Sequence, residues 1–184
     1  TLVKKIKQGL VDLNFLDVEF DMEFEKLDHF TPSGWDGAQF LISSNPGQPM
    51  RPLKDVASGG ELSRIMLAIK TVLADSDDIP TLIFDEIDTG ISGRTAQKVS
   101  EKLMLIARSH QIICITHLPQ IAAMADSHFE IAKFASQGRT ITTIRLLDRK
   151  ASVEELARLL GGARITEAVL KNAGEMKELA DRTK

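Results

Sequence analysis

Two short apolar runs are the clearest features in the pattern of hydrophobic and polar positions. Residues 81–84 (Thr-Leu-Ile-Phe) and 112–115 (Ile-Ile-Cys-Ile) are too short for helices and are typical of buried strands. Between them, apolar residues recur at helical spacing after a capping position at Ser92 or Thr95, and this helix should end near Ser109. A strand, a crossover helix and a second strand of this length predict a parallel pair with a right-handed crossover. The helix residues expected to face inward are Val99, Leu103, Ile106 and Ala107.

The segments that precede this unit alternate less regularly. Residues 13–27 change between apolar and acidic positions and predict a half-exposed strand, and residues 39–43 predict another. Residues 29–37 contain a proline and two glycines and predict a loop. Trp35 in that loop is either a lid over the core or a contact for a partner. A helix should follow Ser58, with apolar residues on one face: Leu62, Ile65, Met66, Ile69, Val72 and Leu73.

The last third of the chain predicts a hairpin and two helices. Residues 127–134 and 140–147 are typical of hairpin strands. Residues 152–155 (Ser-Val-Glu-Glu) form a capping box that should open a helix, and the glycines at 161–162 should end it. Thr166 should open a final helix. Four residues of that helix are expected to face inward: Ala168, Val169, Ala173 and Met176.

The first ten residues carry a pattern of their own. Val3, Ile6 and Leu10 fall at the a and d spacing of a heptad, with lysines between them. A coiled coil needs three or four heptads, so these residues can form no more than the last turns of one. We therefore expect residues 1–10 to end a coiled-coil arm and residues 11–184 to form a single domain. A chain that begins with Thr rather than Met is expected to be part of a longer protein.

Composition excludes several classes of protein. The 184 residues are 43% hydrophobic and 27% charged, as in ordinary globular domains. Their net charge of −3 is not the basic footprint of a nucleic-acid-binding domain. Cys114 is the single cysteine, so there is no internal disulfide, and its apolar neighbours predict a buried, inert thiol. The first ten residues have lysines but no apolar core after them, so we expect no signal peptide there, and no apolar run approaches the roughly 18 residues that span a membrane. A local excess of cations is interrupted by acids and predicts a solvated surface: Arg139, Arg145, Arg149, Lys150, Arg158 and Arg164.

Two acids follow the first apolar strand directly. Asp85 and Glu86 stand at its carboxyl end, where open α/β sheets place their ligands. In nucleotide hydrolases the first acid of such a pair holds Mg²⁺, and a second acid can take a proton from an attacking water. A strand that simply runs into a solvated acidic turn would look the same, and for this pair alone the two interpretations are about equally good.

Two glycines stand at the start of the helix that follows Ser58. A helix N-terminus offers free N–H groups and a partial positive charge, and Gly59 and Gly60 would let a phosphate approach the backbone. An ordinary N-cap by Ser58 is the alternative, and it accounts poorly for a pair of glycines.

One histidine has a placement that suggests chemistry. His117 follows the second apolar strand, so it should face the same crevice as Asp85 if the two strands are parallel. A lone histidine is more often structural. His29, His110 and His128 have no such placement and are expected at the surface or at caps.

The glycine pair, the acid pair and the histidine occur along the chain in the order found in a known class of ATPases. Ser-Gly-Gly-Glu at 58–61, Phe-Asp-Glu at 84–86 with Asp88 beyond it, and Thr-His at 116–117 resemble the signature motif, the Walker B strand with its D-loop, and the switch histidine of ABC-type ATPases. Five longer segments resemble the RecN family of bacterial DNA repair proteins, which are SMC-like ATPases. These segments are VASGGELSRIMLAIK, FDEIDTGISG, ITHLPQIAAMAD, SNPGQPMRPL and ELARLLGG. The resemblance covers residues from about 10 to about 162.

The resemblance implies a fold and a set of roles. The fold would be α/β, the C-terminal lobe of a P-loop NTPase head of the ABC/SMC type, with a mostly parallel sheet flanked by helices and a β-hairpin. Asp85 would hold Mg²⁺ through water, Glu86 would polarise the attacking water, and His117 would contact the γ-phosphate or that water. Asp88 would align the opposite site across a dimer interface. The signature residues would close over ATP held by a second head: Ser58, Gly59, Gly60 and Glu61.

The resemblance also implies cofactors, partners and a location. The cofactors would be ATP and Mg²⁺, and the function would be ATP binding and hydrolysis that drive head dimerisation in DNA double-strand-break repair and recombination. The partners would be an N-terminal Walker A lobe of the same protein, a second head and DNA, with no membrane, in the bacterial cytoplasm at the nucleoid. The pattern G-x-x-x-x-G-K-[ST] of a Walker A loop occurs nowhere in the chain, so the chain alone should be inactive.

Two other interpretations stay open. The chain could belong to another ABC ATPase, such as the nucleotide-binding subunit of a transporter. Such subunits carry their Walker A loop upstream in the same compact domain, whereas this chain has a coil-like start and two strands there. A non-catalytic lobe that only dimerises is the other alternative. Loss of Glu86 or His117 would have favoured it, and both are present.

Overall fold

The computed structural model describes residues 1–45, 47–56, 58–74, 78–136, 139–162 and 164–184. They form two compact units, Thr1–Ile115 and Thr116–Lys184. The first unit contains the helices α1 (Leu2–Asp12), α2 (Gly59–Leu73) and α3 (Gly93–Ala107) and the strands β1 (Glu19–Thr31), β2 (Gly34–Ser43), β3 (Arg51–Pro52), β4 (Thr81–Phe84) and β5 (Gln111–Cys114). The second contains the helices α4 (Pro119–Ala123), α5 (Arg149–Gly161) and α6 (Glu167–Thr183) and the strands β6 (Phe129–Ser136) and β7 (Arg139–Leu146).

The predicted parallel pair is confirmed. Strands β4 and β5 run parallel, with Phe84 opposite Cys114, and the amide of Ile115 continues the ladder to the carbonyl oxygen of Phe84 at 3.0 Å. Helix α3 connects them and buries three of its four predicted residues, whereas Ala107, its last residue, is exposed. The carboxyl ends of the two strands therefore lie side by side, which places Asp85 at a shared sheet edge.

The first 43 residues contain a longer hairpin than the sequence predicts. Strands β1, β2 and β3 form an antiparallel sheet, and the β1–β2 pairing reaches Thr31 and Gly34 after a register shift beyond Lys26. The predicted loop at 29–37 is thus wrong, because its two glycines serve the hairpin. Gly34 has a φ of 116°, and a Cβ on Gly37 would meet the side chain of Glu25 on the opposite strand at 3.0 Å. Trp35 packs edge-on against Phe30 and stays partly exposed.

Helix α1 packs onto the first unit. Ile6 and Leu10 are fully buried, and Gly9 leaves room for a close approach to Ala68 of α2, where a Cβ would meet the Ala68 Cβ at 3.5 Å. Lys102 of α3 adds a 2.9 Å ion pair with Asp12. The helix crosses the predicted boundary at residue 10, so the division into an arm at 1–10 and a domain at 11–184 stays a prediction.

The second unit joins the hairpin to three helices. Strands β6 and β7 are antiparallel, which confirms the predicted hairpin, although residues 137–138 of its turn lie outside the described residues. Small residues on the helices allow close packing around Leu156, which is fully buried. The other buried members of this cluster are Ala122, Ala123, Ala157, Ala173 and Ala180.

The first residue of α5 and one inward-facing residue of α6 differ from the predictions. Helix α5 begins at Arg149 because Asp148 caps it, accepting a 2.8 Å hydrogen bond from the Ala151 amide. Ser152, predicted as the cap, is buried instead. Helix α6 begins after Thr166 as predicted, with the Thr166 hydroxyl accepting from the Val169 amide. Val169, Ala173 and Met176 pack inward, whereas Ala168 is exposed in the first turn.

The observed fold is mixed α/β, with a parallel pair, flanking helices and a hairpin. Among the described residues, β4 and β5 supply the parallel pairing, and the other two sheets are antiparallel. The cations of the predicted solvated surface include several in ion pairs with acids, such as Arg145 with Glu130 and Arg158 with Glu155. In the part of the chain that the structure describes, no helix has the length and apolar character needed to cross a bilayer.

Candidate functional site

The N-terminus of α2 has the geometry of a capped helix. Ser58 has an extended backbone, and its hydroxyl accepts a 3.3 Å hydrogen bond from the Glu61 amide. Its carbonyl oxygen accepts from the Leu62 amide at 2.9 Å. The capping role of Ser58 is confirmed. The cap satisfies one amide of the first turn, and the remaining N–H groups at this end give it the partial positive charge that attracts anions.

The turn that follows β4 presents the acid pair. Asp85 and Glu86 are both exposed, and one carboxylate oxygen of Asp85 accepts a 2.9 Å hydrogen bond from the Glu86 amide. Glu86 has a φ of 56°, in the left-handed region that costs a non-glycine residue roughly 1–2 kcal/mol. The Thr89 amide closes the turn on the Glu86 carbonyl oxygen at 3.0 Å. A strained residue persists only where its surroundings hold it.

Two consecutive side chains of α2 hold this turn by its backbone. The Ser63 hydroxyl donates to the Asp85 carbonyl oxygen at 2.7 Å. The Arg64 guanidinium donates to the carbonyl oxygens of Ile87 at 3.2 Å and Thr89 at 2.8 Å. The helix N-terminus and the acidic turn therefore form one connected structure.

Arg64 is an unusual anchor because it is buried. Its side chain is only 8% exposed, and the guanidinium lies 5.6 Å from the centre of the Phe15 ring. Burial lowers the pKa of Arg64, and the charges of Glu61 and Asp88 oppose that shift. An arginine keeps its charge even so, and this charge sits directly behind the acidic turn.

The two glycines are explained by contacts within the chain. A Cβ on Gly60 would lie 2.9 Å from both the carbonyl oxygen of Glu86 and the Cβ of Thr89, so no larger residue fits without moving the backbone. A Cβ on Gly59 would lie 2.5 Å from a carboxylate oxygen of Glu86, a flexible group that can move. Gly60 is thus required by packing alone, whereas Gly59 keeps the backbone open beside a movable carboxylate.

The remaining predicted groups of the first unit lie around this turn. Asp88 is buried within it, at 3% exposure. Cys114, at the end of the neighbouring strand, has its pKa raised to about 12 by burial and by the charges of Asp88 and Asp85. A protonated thiol at neutral pH agrees with the prediction of an inert cysteine, although Cys114 is half-buried rather than buried.

His117 belongs to the second unit. It is exposed and lies between Thr116 and Leu118, and the Leu118 amide donates a 3.0 Å hydrogen bond to the Thr116 hydroxyl. The structure brings residues 58–61, Asp85, Glu86 and Asp88 together in the first unit. The membership of His117 in the same site stays a prediction.

Two other histidines differ from expectation. His110 is buried at 7% exposure and is hydrogen-bonded to the Ser109 hydroxyl at 2.8 Å. His128 is half-buried and is hydrogen-bonded to the buried Ser152 hydroxyl at 2.8 Å. Burial lowers the pKa of His128, which favours its neutral form. Both have structural roles inside their own units.

Similar proteins decide the family. The chain is 45% identical over 183 residues to DNA repair protein RecN of Halalkalibacterium halodurans, covering 97% of this chain and 32% of that protein. It is 47% identical over 154 residues to RecN of Bacillus subtilis, covering 84% and 27%, and 46% identical over 176 residues to RecN of Vibrio cholerae, covering 95% and 32%. The chain belongs to the RecN family. It spans about a third of the length of these relatives, and no family model matches it.

Solved structures agree on the fold of this RecN-family chain. The Smc head domain of Pyrococcus yayanosii, with a coiled coil and joint, matches 84% of the chain with a TM-score of 0.59 at 20% identity, and the chain covers 28% of it. The Smc head of Pyrococcus furiosus matches 85% with a TM-score of 0.54 at 19% identity, and the chain covers 37% of it. At such identities the likeness shows the fold, which is that of an SMC head.

The acid pair suits Mg²⁺ in a particular way. Among the described residues, no three His, Cys, Asp or Glu side chains are grouped so as to enclose a metal. Magnesium, however, usually keeps several waters and binds one or two carboxylates together with substrate phosphates. Asp85 is exposed at the sheet edge and has a carboxylate oxygen that the Glu86 amide does not use. The residues present therefore fit a magnesium ion that arrives with a nucleotide.

Sequence reasoning missed Ser63 and Arg64. Residues 60, 64 and 68 repeat every four positions, and all three are buried. Gly60 and Arg64 meet the turn, and Ala68 packs against Gly9 of α1. A charged residue on an otherwise small and apolar stripe was the available signal, since buried cations in proteins are almost always paired. The partners of Arg64 could not be predicted from residue spacing, because its acceptors are backbone carbonyl oxygens.

Proposed function

We propose that this chain is one lobe of the ATPase head of a RecN-type DNA repair protein. In this proposal ATP binds between two heads, drives their association, and is hydrolysed to release them. The observation that carries it is the connected structure of α2 and the acidic turn, in which Ser63 and Arg64 fix Asp85 and Glu86 beside residues 58–60. A general base, a metal ligand and an anion-attracting helix terminus are groups that phosphoryl transfer to water uses.

Each residue has a role in this proposal. Asp85 would hold Mg²⁺ through water, and the ion would supply positive charge that neutralises the phosphates. Glu86 accepts the proton of the attacking water, and its exposed carboxylate is accessible for that step. His117 contacts the γ-phosphate or the water. Asp88 shapes the turn and aligns the site of the opposite head.

The signature residues serve the partner head in this proposal. The terminus at residues 58–61 closes over the γ-phosphate of ATP bound to a second copy. Two features support an anion there, the open backbone at Gly59 and the buried positive charge of Arg64 behind the turn. In this structure the Glu86 carboxylate occupies the space beside Gly59, so it must turn away when a phosphate arrives.

The larger setting is also proposed by similarity. The relatives are named DNA repair proteins, and a structure that matches 89% of the chain with a TM-score of 0.50 is titled for ATP-driven dimerization and DNA-stimulated activation of SMC ATPases. We place the chain in the bacterial cytoplasm at the nucleoid, with α1 at the base of a coiled-coil arm. An N-terminal lobe supplies the Walker A loop. With a net charge of −3, the chain contacts DNA only as part of the whole assembly.

The test uses two inactive variants of the complete protein. Glu86→Gln removes the general base and should reduce turnover by ~10²–10⁴ while ATP-bound dimers accumulate. Ser58→Arg places a cation at the helix N-terminus and should block closure while each monomer still binds ATP. Glu175→Gln, on an exposed helix face, is the control and should change nothing. Turnover of Glu86→Gln within about threefold of wild type would contradict the role of Glu86.

Mixing the two variants tests the partner arrangement. If Ser58 serves the opposite head, a mixed dimer combines an intact Glu86 with an intact Ser58 at one of its two sites. An equal mixture should then recover about a quarter of wild-type turnover, because random pairing makes half of the dimers mixed. If Ser58 acts on its own head, every site carries a defect, and the mixture stays inactive.

A further inference from the structure

Lys177 of α6 is a buried cation with all of its donors in use. Its side chain is only 8% exposed, and its ammonium donates to the carbonyl oxygens of Ala123 at 2.9 Å and Ala125 at 3.1 Å. The carboxylate of Asp181 lies 3.2 Å away on the same helix. An ammonium has three donors, and three acceptors surround this one. Burying such a charge without partners is costly. The residues that carry the three acceptors are therefore held close to Lys177.

The carbonyls that Lys177 contacts lie at the last residue of α4, Ala123, and two residues beyond it, at Ala125. Helix α4 has five residues, far fewer than a helix needs to be stable by itself. The last carbonyls of a helix lack partners within it, and lysine side chains satisfy such groups and complement the negative end of the helix dipole. Helix α4 is therefore held in place by its surroundings.

The other end of α4 carries His117. Leu118 is the N-cap, and its carbonyl oxygen accepts from the amides of Ile121 and Ala122, each at 3.1 Å. The Leu118 amide is tied in turn to the Thr116 hydroxyl. His117 lies between these two bonded residues, so its backbone moves with the first turn of α4.

We infer that Lys177 is a positioning residue that fixes His117 by holding α4 from its far end. The inference rests on the proposed role of His117 in hydrolysis. Lys177 acts at a distance of one short helix and touches no reacting group. Its contribution is to keep the imidazole in the one place where it can meet the γ-phosphate or the attacking water.

The side of α6 that holds α4 is itself fixed. The second carboxylate oxygen of Asp181 accepts a 2.6 Å hydrogen bond from Arg149, the first residue of α5. Lys184 adds a second contact to the Ala125 carbonyl oxygen at 3.1 Å and a 2.7 Å contact to Asp126. Helices α5 and α6 thus form a base. Lys177 and the packing of Ala122 and Ala123 attach α4 to it, and Lys184 attaches the residues that follow α4.

The first test separates positioning from binding in the complete protein. Lys177→Met keeps the apolar stem and removes the three donors. It should lower kcat by about ten- to a hundredfold, because a small misplacement of a reacting group costs that much. The dissociation constant for ATP should stay unchanged, since the phosphate-binding loop is elsewhere. Lys171→Met is the matched control on the same helix, where the ammonium is exposed and lies near Glu175, and it should leave kcat unchanged.

A double-mutant cycle with His117→Ala decides how Lys177 acts. If Lys177 acts through His117, the double variant should turn over ATP as fast as His117→Ala alone. Losses that multiply, or an unchanged kcat in Lys177→Met, would overturn the inference while leaving the proposed function standing. If His117→Ala itself matches wild type, the proposed role of His117 is wrong and the inference falls with it. Should Lys177→Met not fold, Lys184→Met enters the same cycle, and its smaller loss should likewise vanish in the His117→Ala background.

Discussion

The hydroxyl of Ser63 donates a 2.7 Å hydrogen bond to the carbonyl oxygen of Asp85, which joins the helix α2 to the backbone of the acidic turn. Arg64, the next residue, holds the same turn at Ile87 and Thr89. A shift of the N-terminus of α2 must therefore carry the acids with it. In a protein whose heads close over ATP, this link would let the terminus at Ser58 and the acids of one head move as a single body.

Replacing Arg64 should destabilise the first unit. Arg64→Met keeps an apolar stem against Phe15 but leaves the carbonyls of Ile87 and Thr89 without their donor. A buried polar group left unsatisfied costs about 1–3 kcal/mol, so the free energy of unfolding in urea should fall by that amount. Arg108→Met, at the exposed end of α3, is the control and should change it by less than about 0.5 kcal/mol. Equal losses in the two variants would contradict the anchoring role.

Glu86 should lower the stability of the fold through its left-handed backbone, although its carboxylate should be needed for hydrolysis. Its φ of 56° suits glycine, and relief of the left-handed penalty in Glu86→Gly should raise the free energy of unfolding by about 1 kcal/mol. Glu86→Gln keeps the same backbone restriction and should leave the stability unchanged. Both variants should lose ATP hydrolysis in the complete protein. A Glu86→Gly variant that is less stable than Glu86→Gln in urea unfolding would show that the turn is not strained.

The ion pair between Asp12 and Lys102 should make the free energy of unfolding depend on pH. The hydrogen bond from Lys102 lowers the pKa of Asp12 below its ordinary value. The contribution is therefore present at neutral pH and is lost as the pH falls through that lowered pKa, below about 4. Asp12→Asn should cost less than about 1 kcal/mol at pH 7, because both groups are partly exposed, and should cost less at pH 3 than at pH 7.

The matched background for this measurement is Lys102→Met. There, Asp12→Asn should be neutral at both pH values, since the cation that lowers the pKa is gone. A loss at pH 7 that persists without Lys102 would mean that Asp12 stabilises α1 in another way, for example through its contact with Gln8.

Elements with a repeating pattern could be predicted from the sequence, and contacts through the backbone could not. The β4–α3–β5 unit follows from two apolar runs and one helical stripe, and its parallel pairing was confirmed, with β5 beginning one residue earlier than expected. The helix start at Asp148 was missed because Ser152 with Glu155 looks like a complete capping box. Only the packing shows that the Ser152 hydroxyl is occupied by His128.

The candidate site also combines features that could be predicted from the sequence with contacts that could not. The acid pair at 85–86 and the terminus at residues 58–60 could be located from residue type and order. Their mutual contact could not, because it runs through the Glu86 carbonyl oxygen and the missing Cβ of Gly60. The positive φ of Glu86 also has no sequence signal, since its side chain gives no hint that the turn needs a left-handed residue there.

The chain by itself should fold but should bind ATP weakly. Each unit has its own buried residues, with Ile65 and Val99 in the first and Leu156 in the second. Tight binding of a triphosphate relies on a Walker A loop and its lysine, and the sequence contains no such pattern. We expect the chain to self-associate at high concentration, because Ile83 and Ile113 on the β4–β5 pair are 67% and 45% exposed.

The expected affinity follows from the groups that remain. A helix terminus, the Asp85 carboxylate with its Mg²⁺ and one histidine offer two or three charged hydrogen bonds, each contributing about 1.5–3 kcal/mol. Several kcal/mol of lost ligand freedom oppose them. A dissociation constant of about 1 mM corresponds to only about −4.1 kcal/mol, so binding should be millimolar or weaker. Calorimetric titration of the chain with Mg-ATP, followed by a phosphate-release assay, measures this directly. Micromolar binding, or turnover that Glu86→Gln abolishes, would place a complete site within these 184 residues and overturn the assignment of the phosphate-binding loop to another lobe.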